Sequence, residues 1–254
     1  MDPHTFALTP LSETLRSDRH DSLRPVARLG GHPLHWQAWG NLLHSVRTGA
    51  TAFDAAHGKS FFDALADDHV LSSALQAGLG RLHDVDLSVV EASDLGRFER
   101  MVDVGGGAGE LSRQIASARP TASVILFDQP HVLAMAPAAA GVEYVSGDFL
   151  ESVPREGDAY FLKFVLHDWD DASCRTILQN IRRAMNPGAR VVIVEMNAGE
   201  NAVAALMDLG MLHTFTGRER EASEFRRLLE SAGLEAERIS QLHPPYQLIE
   251  AVAA

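Results

Sequence analysis

A glycine-rich turn flanked by carboxylates is the first feature of this sequence that could do chemistry. Asp103 begins the segment, four of the next six residues are glycine, and Glu110 follows. Glycines such as Gly105 and Gly107 let the chain turn sharply and let its backbone approach a ligand closely. The pattern is typical of a nucleotide-type cofactor loop that joins a strand to a helix, although such turns also occur without a cofactor.

The residues around this turn favour a cofactor without phosphate groups. A dinucleotide fingerprint would need Gly or Ala at the position of Glu110, and the carboxylate of Asp103 would repel a pyrophosphate. S-adenosylmethionine carries an adenosine and a positive sulfonium, which suit acidic surroundings. We therefore expect S-adenosylmethionine as the cofactor and S-adenosylhomocysteine as its product.

Two further acids follow the next two predicted strands. Asp128, with the adjacent Gln129, lies where an acid accepts hydrogen bonds from ribose hydroxyls in dinucleotide folds, but it could also simply cap the following helix. Asp148 could reach the adenine amino group, and Phe149 could pack on the adenine ring. Three acids after successive strands, beside a glycine turn, favour a cofactor site.

A second group of reactive side chains lies at the end of the fourth predicted strand, where open parallel sheets hold their ligands. His167 lies in this segment, and imidazole is the usual side chain for removing a proton near neutral pH. Glu195 ends the next strand and Glu219 follows later in the chain. Either carboxylate could hold the imidazole ring through its other nitrogen.

Neighbours of His167 and one upstream histidine are candidates for contact with a substrate. Asp168 could contact a substrate, or it could belong with Asp170 and Asp171 to the start of the following helix. Negative charge at a helix start interacts favourably with the helix dipole. His57 could touch the substrate or could simply pack. The candidate substrate-binding residues are His57, Phe164, Asp168 and Trp169.

The elements that must position these residues follow a change in pattern near residue 96. Before it the sequence predicts helices, at Pro33–Val46 and Asp68–Glu91, and no strands. After it, near-continuous apolar runs alternate with helical segments, which indicates a mostly parallel sheet covered on both faces. The predicted strands are Arg100–Val104, Ser123–Phe127, Val142–Val145, Ala159–Leu162, Arg190–Val194 and Tyr246–Val252. The predicted helices between them are Glu110–Ala118, Pro130–Ala139, Asp171–Met185, Ala202–Phe215 and Ser223–Ala232.

Composition excludes several classes of protein. The chain has 254 residues and a formal charge of −12, which disfavours nucleic acid as a partner because phosphate binding needs a basic surface. The sequence has no signal segment and no long apolar run, and Cys174 is its single cysteine, so we expect a cytoplasmic protein without a membrane segment or a disulfide. The histidines and Cys174 do not fall at metal-ligand spacing, and we predict no metal.

The motifs taken together resemble the small-molecule O-methyltransferases of the caffeic acid and hydroxyindole type, including bacterial polyketide-tailoring members. Similar segments also precede residue 96, so the resemblance covers nearly the whole chain. The segments that carry it are Ser45–Gly49, Phe53–Gly58, Phe61–Phe62, Asp103–Gly109, Phe127–Pro130, Gly147–Phe149, Lys163–Trp169, Val194–Glu195 and Gly217–Arg220.

The resemblance implies S-adenosylmethionine-dependent methylation of a hydroxyl on an aromatic or polyketide-like small molecule, in secondary metabolism. It implies that His167 is the general base and that Glu195 and Glu219 flank it. It implies a Rossmann-like class I methyltransferase sheet, whose last strand is antiparallel. The cofactor contacts then fall on Asp103, Gly105, Gly107, Asp128, Gln129, Asp148, Phe149 and Lys163.

Members of that family usually carry an N-terminal winged-helix domain that pairs two subunits, and the resemblance implies that this chain begins near the end of it. We expect residues 1–95 to form a helical region with substrate-pocket helices, and residues 96–254 to form the cofactor-binding domain. The expected assembly is a monomer or a homodimer with a reduced interface, with a separate protein as a possible source of the missing domain.

Two other functions stay open on the sequence. One is an enzyme of the same fold that keeps the cofactor but acts as a hydroxylase, a decarboxylase or a cyclase. The other is a non-catalytic partner of a full-length homologue. The presence of His167, Glu195 and Glu219 together favours methyl transfer, because the alternatives have less need of a base with two supporting carboxylates.

Overall fold

The computed structural model of this chain describes residues 6–19, 22–79, 83–199 and 201–254. Its centre is a sheet with the strand order β3-β2-β1-β4-β5-β7-β6. Strands β1 to β5 pair in parallel, and β7 is antiparallel to both of its neighbours. This is the Rossmann-like class I methyltransferase sheet, as predicted. The strands are β1 (Arg100–Val104), β2 (Ser123–Asp128), β3 (Val142–Ser146), β4 (Gly157–Lys163), β5 (Met185–Met196), β6 (Leu234–Gln241) and β7 (Tyr246–Ala253).

Helices precede the sheet and cover both of its faces. Those before the sheet are α1 (Pro10–Glu13), α2 (Arg24–Gly30), α3 (Pro33–Gly40), α4 (Leu42–Thr48), α5 (Ala52–His57), α6 (Phe61–Asp67), α7 (His69–Leu79) and α8 (His83–Ala92). Those that lie between strands along the chain are α9 (Glu110–Ala118), α10 (Pro130–Leu133), α11 (Asp171–Ala184), α12 (Ala202–Thr214) and α13 (Ala222–Ser231). Within the described residues, no helix is both long and apolar enough to cross a membrane.

The two faces of the sheet carry separate apolar cores, because successive side chains of a strand point to opposite faces. Val102 of β1 packs in one core, with residues of α11 and α13. Met101, its neighbour, packs in the other core, with residues of α8 and α9. A third core, around Phe53 and Phe61, lies among the helices before the sheet. The division of the chain at residue 96 stays a prediction.

Two predicted helices were wrong in extent, and the continuity of a third stays a prediction. The segment Pro33–Val46 forms two helices, α3 and α4, that break at Asn41. The segment Asp68–Glu91 contains α7 and α8, and residues 80–82 between them lie outside the described part of the chain. Helix α10 ends at Leu133 instead of Ala139, because Pro137 lacks an amide donor and disfavours helical backbone in the residue before it.

One strand was missed in the sequence. Strand β6 lies at the edge of the sheet, where it pairs only with β7 among the described strands. Its apolar residues Leu234, Ala236 and Ile239 do not alternate regularly, because the register shifts between Ala236 and Arg238. A bulge of this kind removes the period of two that a half-buried strand would otherwise show.

Candidate active site

The glycine turn after β1 lines a cavity at the carboxyl end of the parallel strands. The cavity is bordered by Asp103, by the turn from Gly105 to Ala108, by Lys163 at the end of β4 and by Phe164 after it. A Cβ atom on Gly106 would lie 2.5 Å from the carboxylate of Asp103, so only glycine fits this close approach of backbone and side chain. The turn therefore provides an open backbone surface for a ligand, as the sequence predicts.

The charges of this cavity suit a cationic ligand better than a pyrophosphate. The ammonium of Lys163 pairs with Asp86, and the guanidinium of Arg113 pairs with Glu110. Asp103 is buried and accepts a hydrogen bond from Ser112 at 2.6 Å. Burial is the main cause that raises the pKa of Asp103 to about 6. A buried carboxylate that bears a raised pKa gains from a nearby positive charge, such as a sulfonium.

The remaining predicted cofactor residues surround the turn but do not border the cavity. Asp128 accepts hydrogen bonds from the amides of Gly107 at 2.8 Å and Gln129 at 2.7 Å. Asp148 accepts the amide of Leu150. A Cβ on Gly105 would lie 3.4 Å from the ring of Phe149, so this ring lies beside the turn. The ribose and adenine contacts of these residues stay predictions.

His167 lies in a buried turn of 3-10 helix that follows β4. Its Nδ1 atom donates a hydrogen bond to the Glu219 carboxylate at 2.9 Å and lies 3.5 Å from Glu195 Oε2. On the opposite side of the ring, Nε2 lies 3.5 Å from Asp168 Oδ1. The structure thus brings together the three residues predicted for catalysis.

Glu195 holds the backbone of this turn as well as facing the ring. It is fully buried, and its Oε1 atom accepts hydrogen bonds from the amides of Val165, Leu166 and His167 at 3.2, 2.8 and 3.3 Å. Three amide donors on one oxygen fix the position from which the His167 side chain projects. The sequence predicted only the contact with the ring.

The protons of this cluster are shared among one imidazole and three carboxylates. Burial of the His167 ring opposes the imidazolium, but the surrounding carboxylates outweigh burial and raise the pKa of His167 well above its ordinary value. Burial also raises the pKa of Asp168 to about 7 and raises the pKa of Glu195. An imidazole with a raised pKa is a stronger base, and its conjugate acid is stabilised by the carboxylates.

Phe164 connects the glycine cavity with His167. Its ring borders the cavity and stacks on the His167 ring with centroids 5.9 Å apart. The backbone of Phe164 has a φ of 55°, a conformation that costs energy for a residue other than glycine and that clusters at functional sites. Phe164 is therefore in contact with both the glycine cavity and the His167 ring.

The other two substrate candidates differ in their surroundings. Trp169 stacks on Phe62 with centroids 5.3 Å apart and meets Phe149 edge-on, which places it among aromatic rings near the His167 turn. His57 donates from Nε2 to the carbonyl of Leu34 at 2.9 Å and packs on Phe53. Packing accounts for His57, and its contact with a substrate stays a prediction.

Three site residues were missed in the sequence because they come from distant elements. Gln76 on α7 borders the glycine cavity, and Asp86 on α8 pairs with Lys163. Arg220 contacts the His167 turn. The helical pattern of α7 and α8 does not show which face meets the sheet. Only the position of Arg220 directly after Glu219 could have drawn attention to it.

The catalytic cluster also contains metal-ligating side chains. His167, Glu195 and Glu219 offer ligand atoms that lie within 4.8 Å of one another. Spacing along the sequence could not show this set, because its members come from three separate segments. Amide donors and the imidazole already occupy several of these carboxylate lone pairs, and the absence of a metal from the functional enzyme stays a prediction.

The fold and the cavity define an α/β methyltransferase of the class that binds S-adenosylmethionine, and comparisons with known proteins specify it further. The sequence profile of the O-methyltransferase domain matches residues 39–235. The chain is 39% identical to the phenazine O-methyltransferase PhzM of Lysobacter antibioticus in an alignment of 264 positions that covers 98% of this chain and 76% of that protein.

Solved structures agree with the sequence comparison. The mitomycin 7-O-methyltransferase MmcR has a TM-score of 0.93 and 34% identity, over 98% of this chain and 77% of that one. NcsB1, an O-methyltransferase from neocarzinostatin biosynthesis in complex with S-adenosylmethionine and 2-hydroxy-5-methyl naphthoic acid, has a TM-score of 0.87 and 29% identity, over 98% and 78% of the two chains. This chain belongs to the S-adenosylmethionine-dependent small-molecule O-methyltransferases.

Proposed function

We propose that this enzyme methylates a hydroxyl of an aromatic or polyketide-like small molecule, with His167 as the general base. The observation that carries the proposal is the position of the His167 ring. It is held by a carboxylate at Nδ1, and it stacks on Phe164, a residue that lines the glycine cavity. A base beside a cationic methyl donor is the arrangement that methylation of a hydroxyl needs.

The residues of the glycine cavity fit S-adenosylmethionine. Its sulfonium, when bound, supplies an electrophilic methyl group. The backbone from Gly105 to Gly107 offers a surface without side chains, and the acidic Asp103 favours a positive ligand over an anionic one. Asp128 lies at the end of β2 and is hydrogen-bonded to Gly107. Its carboxylate retains lone pairs that can accept hydrogen bonds from ribose hydroxyls. Asp148 and Phe149 are proposed to contact the adenine, and Lys163 and Gln129 the rest of the cofactor.

The tautomer of His167 determines which nitrogen acts as the base. Glu219 accepts a hydrogen bond from the N–H group at Nδ1, so the neutral ring keeps its proton on Nδ1 and has its lone pair on Nε2. Proton removal from the acceptor hydroxyl therefore occurs at Nε2, on the side of Asp168. The carboxylates of Glu219 and Glu195 then stabilise the imidazolium that forms.

Two kinds of observation support an aromatic acceptor. The similar proteins named above act on phenazine or mitomycin compounds, and one binds a hydroxylated naphthoic acid. In this chain, the rings of Trp169, Phe62 and Phe215 lie close to one another beside the His167 turn. Flat aromatic acceptors pack well against such rings.

The substitution His167→Ala tests this function. It should lower kcat for methyl transfer from labelled S-adenosylmethionine to hydroxynaphthoic acids and phenols by about 10²–10⁴-fold, because proton removal belongs to the transition state. S-adenosylhomocysteine affinity, measured by calorimetry, should stay as in the wild type, and His69→Ala on the exposed surface is the control. Methylation by His167→Ala at the wild-type rate would overturn the role of His167, and a wild-type chain that methylates none of these acceptors would count against the acceptor class.

A further inference from the structure

Among the residues that the structure describes, Arg220 has the largest fully buried side chain, with an exposed fraction of 1%. Its Nη1 donates to the carbonyl of Leu166 at 2.8 Å, and its Nη2 donates to the carbonyl of Trp169 at 2.8 Å. Nε and Nη2 also bind the carboxylate of Asp171 at 3.0 and 2.8 Å. The guanidinium thus bridges the residue before His167, the second residue after it, and the first residue of α11.

The backbone before Arg220 packs closely against the same turn, and the carbonyl of Arg220 binds the segment after β5. A Cβ atom on Gly217 would lie 2.2 Å from the carbonyl oxygen of His167 and 2.4 Å from the amide nitrogen of Trp169, so the segment passes the turn at a distance that only glycine allows. The carbonyl of Arg220 accepts the amide of Ala198 at 3.3 Å. The segment from Gly217 to Arg220 is therefore in contact with the His167 turn through both its backbone and the Arg220 side chain.

Arg220 directly follows Glu219, whose carboxylate binds the His167 ring. One dipeptide therefore contacts the ring of the catalytic histidine through Glu219 and the backbone beside that histidine through Arg220. We propose that Arg220 is a positioning residue for methyl transfer, which holds the His167 turn so that Nδ1 meets Glu219 and Nε2 faces the acceptor. The proposal rests on the role of His167 given above.

The shape of the guanidinium is what this role requires. A planar fork with five donors can bind two carbonyls and a carboxylate at once, whereas the ammonium of lysine is a point charge on a flexible stem. Lysine at position 220 would keep the buried charge near Asp171 but could not span the carbonyls of Leu166 and Trp169 in the same way. Arg220→Lys therefore separates the geometric role from the charge.

Arg220→Lys should lower kcat by about 10–100-fold, the effect of a catalytic group displaced by an ångström or less. KM for S-adenosylmethionine and the affinity for S-adenosylhomocysteine should not change, because Arg220 does not border the glycine cavity. Arg227→Lys is the matched control, since Arg227 lines the same surface cavity as Arg220 but does not contact the turn within the described hydrogen bonds. It should behave as the wild type.

A second measurement reads the position of the ring without any acceptor. In enzyme labelled with ¹⁵N-histidine and saturated with S-adenosylhomocysteine, the His167 signal, assigned through its loss in His167→Ala, gives the pH at which the ring titrates. Arg220→Lys should lower this pH by one unit or more, because a displaced ring loses part of the contact with Glu219. If the role of Arg220 were purely structural, Arg220→Lys would lower the melting temperature and would leave the pH at which His167 titrates unchanged.

Arg220→Ala provides a rescue experiment. Arg220 lines a surface cavity together with Asp171, Arg175, Arg218 and Glu224. Removal of its side chain leaves a space that is open to this cavity, so free guanidinium at millimolar concentration can enter. It should restore part of kcat in Arg220→Ala and should leave kcat of Arg227→Ala at the wild-type value.

Wild-type kcat and an unchanged His167 titration in Arg220→Lys would overturn the proposal, and so would a loss of folding stability with the titration unchanged. A wild-type enzyme that methylates no phenol would count against the proposed function alone, since the titration of His167 would still decide the role of Arg220.

Discussion

Asp86 and Lys163 form a buried ion pair that joins helix α8 to the end of strand β4. The side chain of Asp86 has no exposed surface, and that of Lys163 is 15% exposed. Lys163 lines the glycine cavity, so a carboxylate from a helix that precedes the sheet compensates a charge that a ligand in the cavity meets. Without Asp86, the ammonium of Lys163 would add an uncompensated positive charge beside a cationic cofactor.

Asp86→Asn should therefore weaken binding of S-adenosylmethionine more than binding of S-adenosylhomocysteine. The two ligands differ by the charge of the sulfonium, and the new repulsion acts only on the charged one. We expect the ratio of their dissociation constants, measured by calorimetry, to change by about tenfold, which corresponds to about 1.4 kcal/mol.

Asp94→Asn is the control for this substitution, because Asp94 forms an exposed ion pair with Arg97. It should leave both affinities unchanged. An equal loss of affinity for the two ligands in Asp86→Asn would mean that the ion pair shapes the cavity without setting its charge.

The two glutamates beside His167 should differ when each is replaced. Glu195→Ala leaves three buried amides without an acceptor, so we expect the free energy of unfolding to fall by about 2–4 kcal/mol. Glu219→Gln keeps a hydrogen-bonding side chain at the ring and should lower kcat by about 10–100-fold with little loss of stability. Urea denaturation and steady-state kinetics on the same preparations separate the two effects.

The double substitution should be non-additive in kcat, because both carboxylates act on one imidazole. If Glu195→Ala were as stable as the wild type, the hydrogen bonds to the turn would contribute nothing measurable. In that case Glu195 would act on the ring alone.

The sequence predicted the site better where it depends on strand ends than where it depends on packing. The carboxyl ends of β1, β4 and β5 meet at one edge of the sheet, so the strand pattern alone places Asp103, Lys163 and Glu195 together. Gln76, Asp86 and Arg220 could not be placed, because their contacts depend on how helices and loops pack across the sheet.

Secondary structure shows the same division. Strands with continuous apolar runs were predicted at the right places, since burial on both faces leaves a strong signal, but β5 extends from Met185 to Met196, beyond the predicted Arg190–Val194. Strand β6 and the end of α10 were missed, because a bulge and Pro137 change the local backbone without changing the apolar content. The break at Asn41 likewise depends on how α3 and α4 pack, which periodicity alone does not show.

The raised pKa of His167 predicts the pH dependence of methyl transfer. The base must lose its proton before it can accept one, so the ascending limb of kcat/KM should lie above pH 7 instead of at the ordinary pKa of histidine, about 6.5. In Glu219→Gln one of the carboxylates that raise this pKa is gone, and the ascending limb should move to lower pH. An ascending limb at the ordinary histidine pKa in both proteins would contradict the electrostatic role of the carboxylates.

Methyl transfer should not depend on a divalent cation. Glu219 binds the imidazole and Glu195 binds the amides of the turn, and both contacts use lone pairs that a metal would need. Dialysis against EDTA should leave kcat unchanged, and added Mg²⁺ should not raise it. Loss of activity on chelation, with recovery on adding a metal, would show that His167, Glu195 and Glu219 act as ligands.

The last prediction concerns the contact between α3 and α12, where a fully buried histidine packs among other rings. The His213 ring lies with its centroid 4.0 Å from that of Trp39 and 5.2 Å from that of His35. Burial, followed by the nearby His35, lowers the pKa of His213 to about 4, so the folded protein holds this ring neutral. Its hydrogen bond to the Thr214 hydroxyl at 2.9 Å does not need the charged form.

Between about pH 4 and 6.5 the unfolded chain binds a proton at His213 that the folded chain excludes. The stability contributed by neutral His213 is therefore complete above pH 6.5 and is lost as the pH falls towards 4. The free energy of unfolding should decrease by on the order of 1–3 kcal/mol more between pH 7.5 and pH 5 in the wild type than in His213→Leu, which has no proton to exclude. Urea midpoints at the two pH values measure this difference, and His69→Leu on the exposed surface should keep the wild-type pH dependence. Equal losses in the wild type and in His213→Leu would show that His213 does not couple protonation to the packing of α3 against α12.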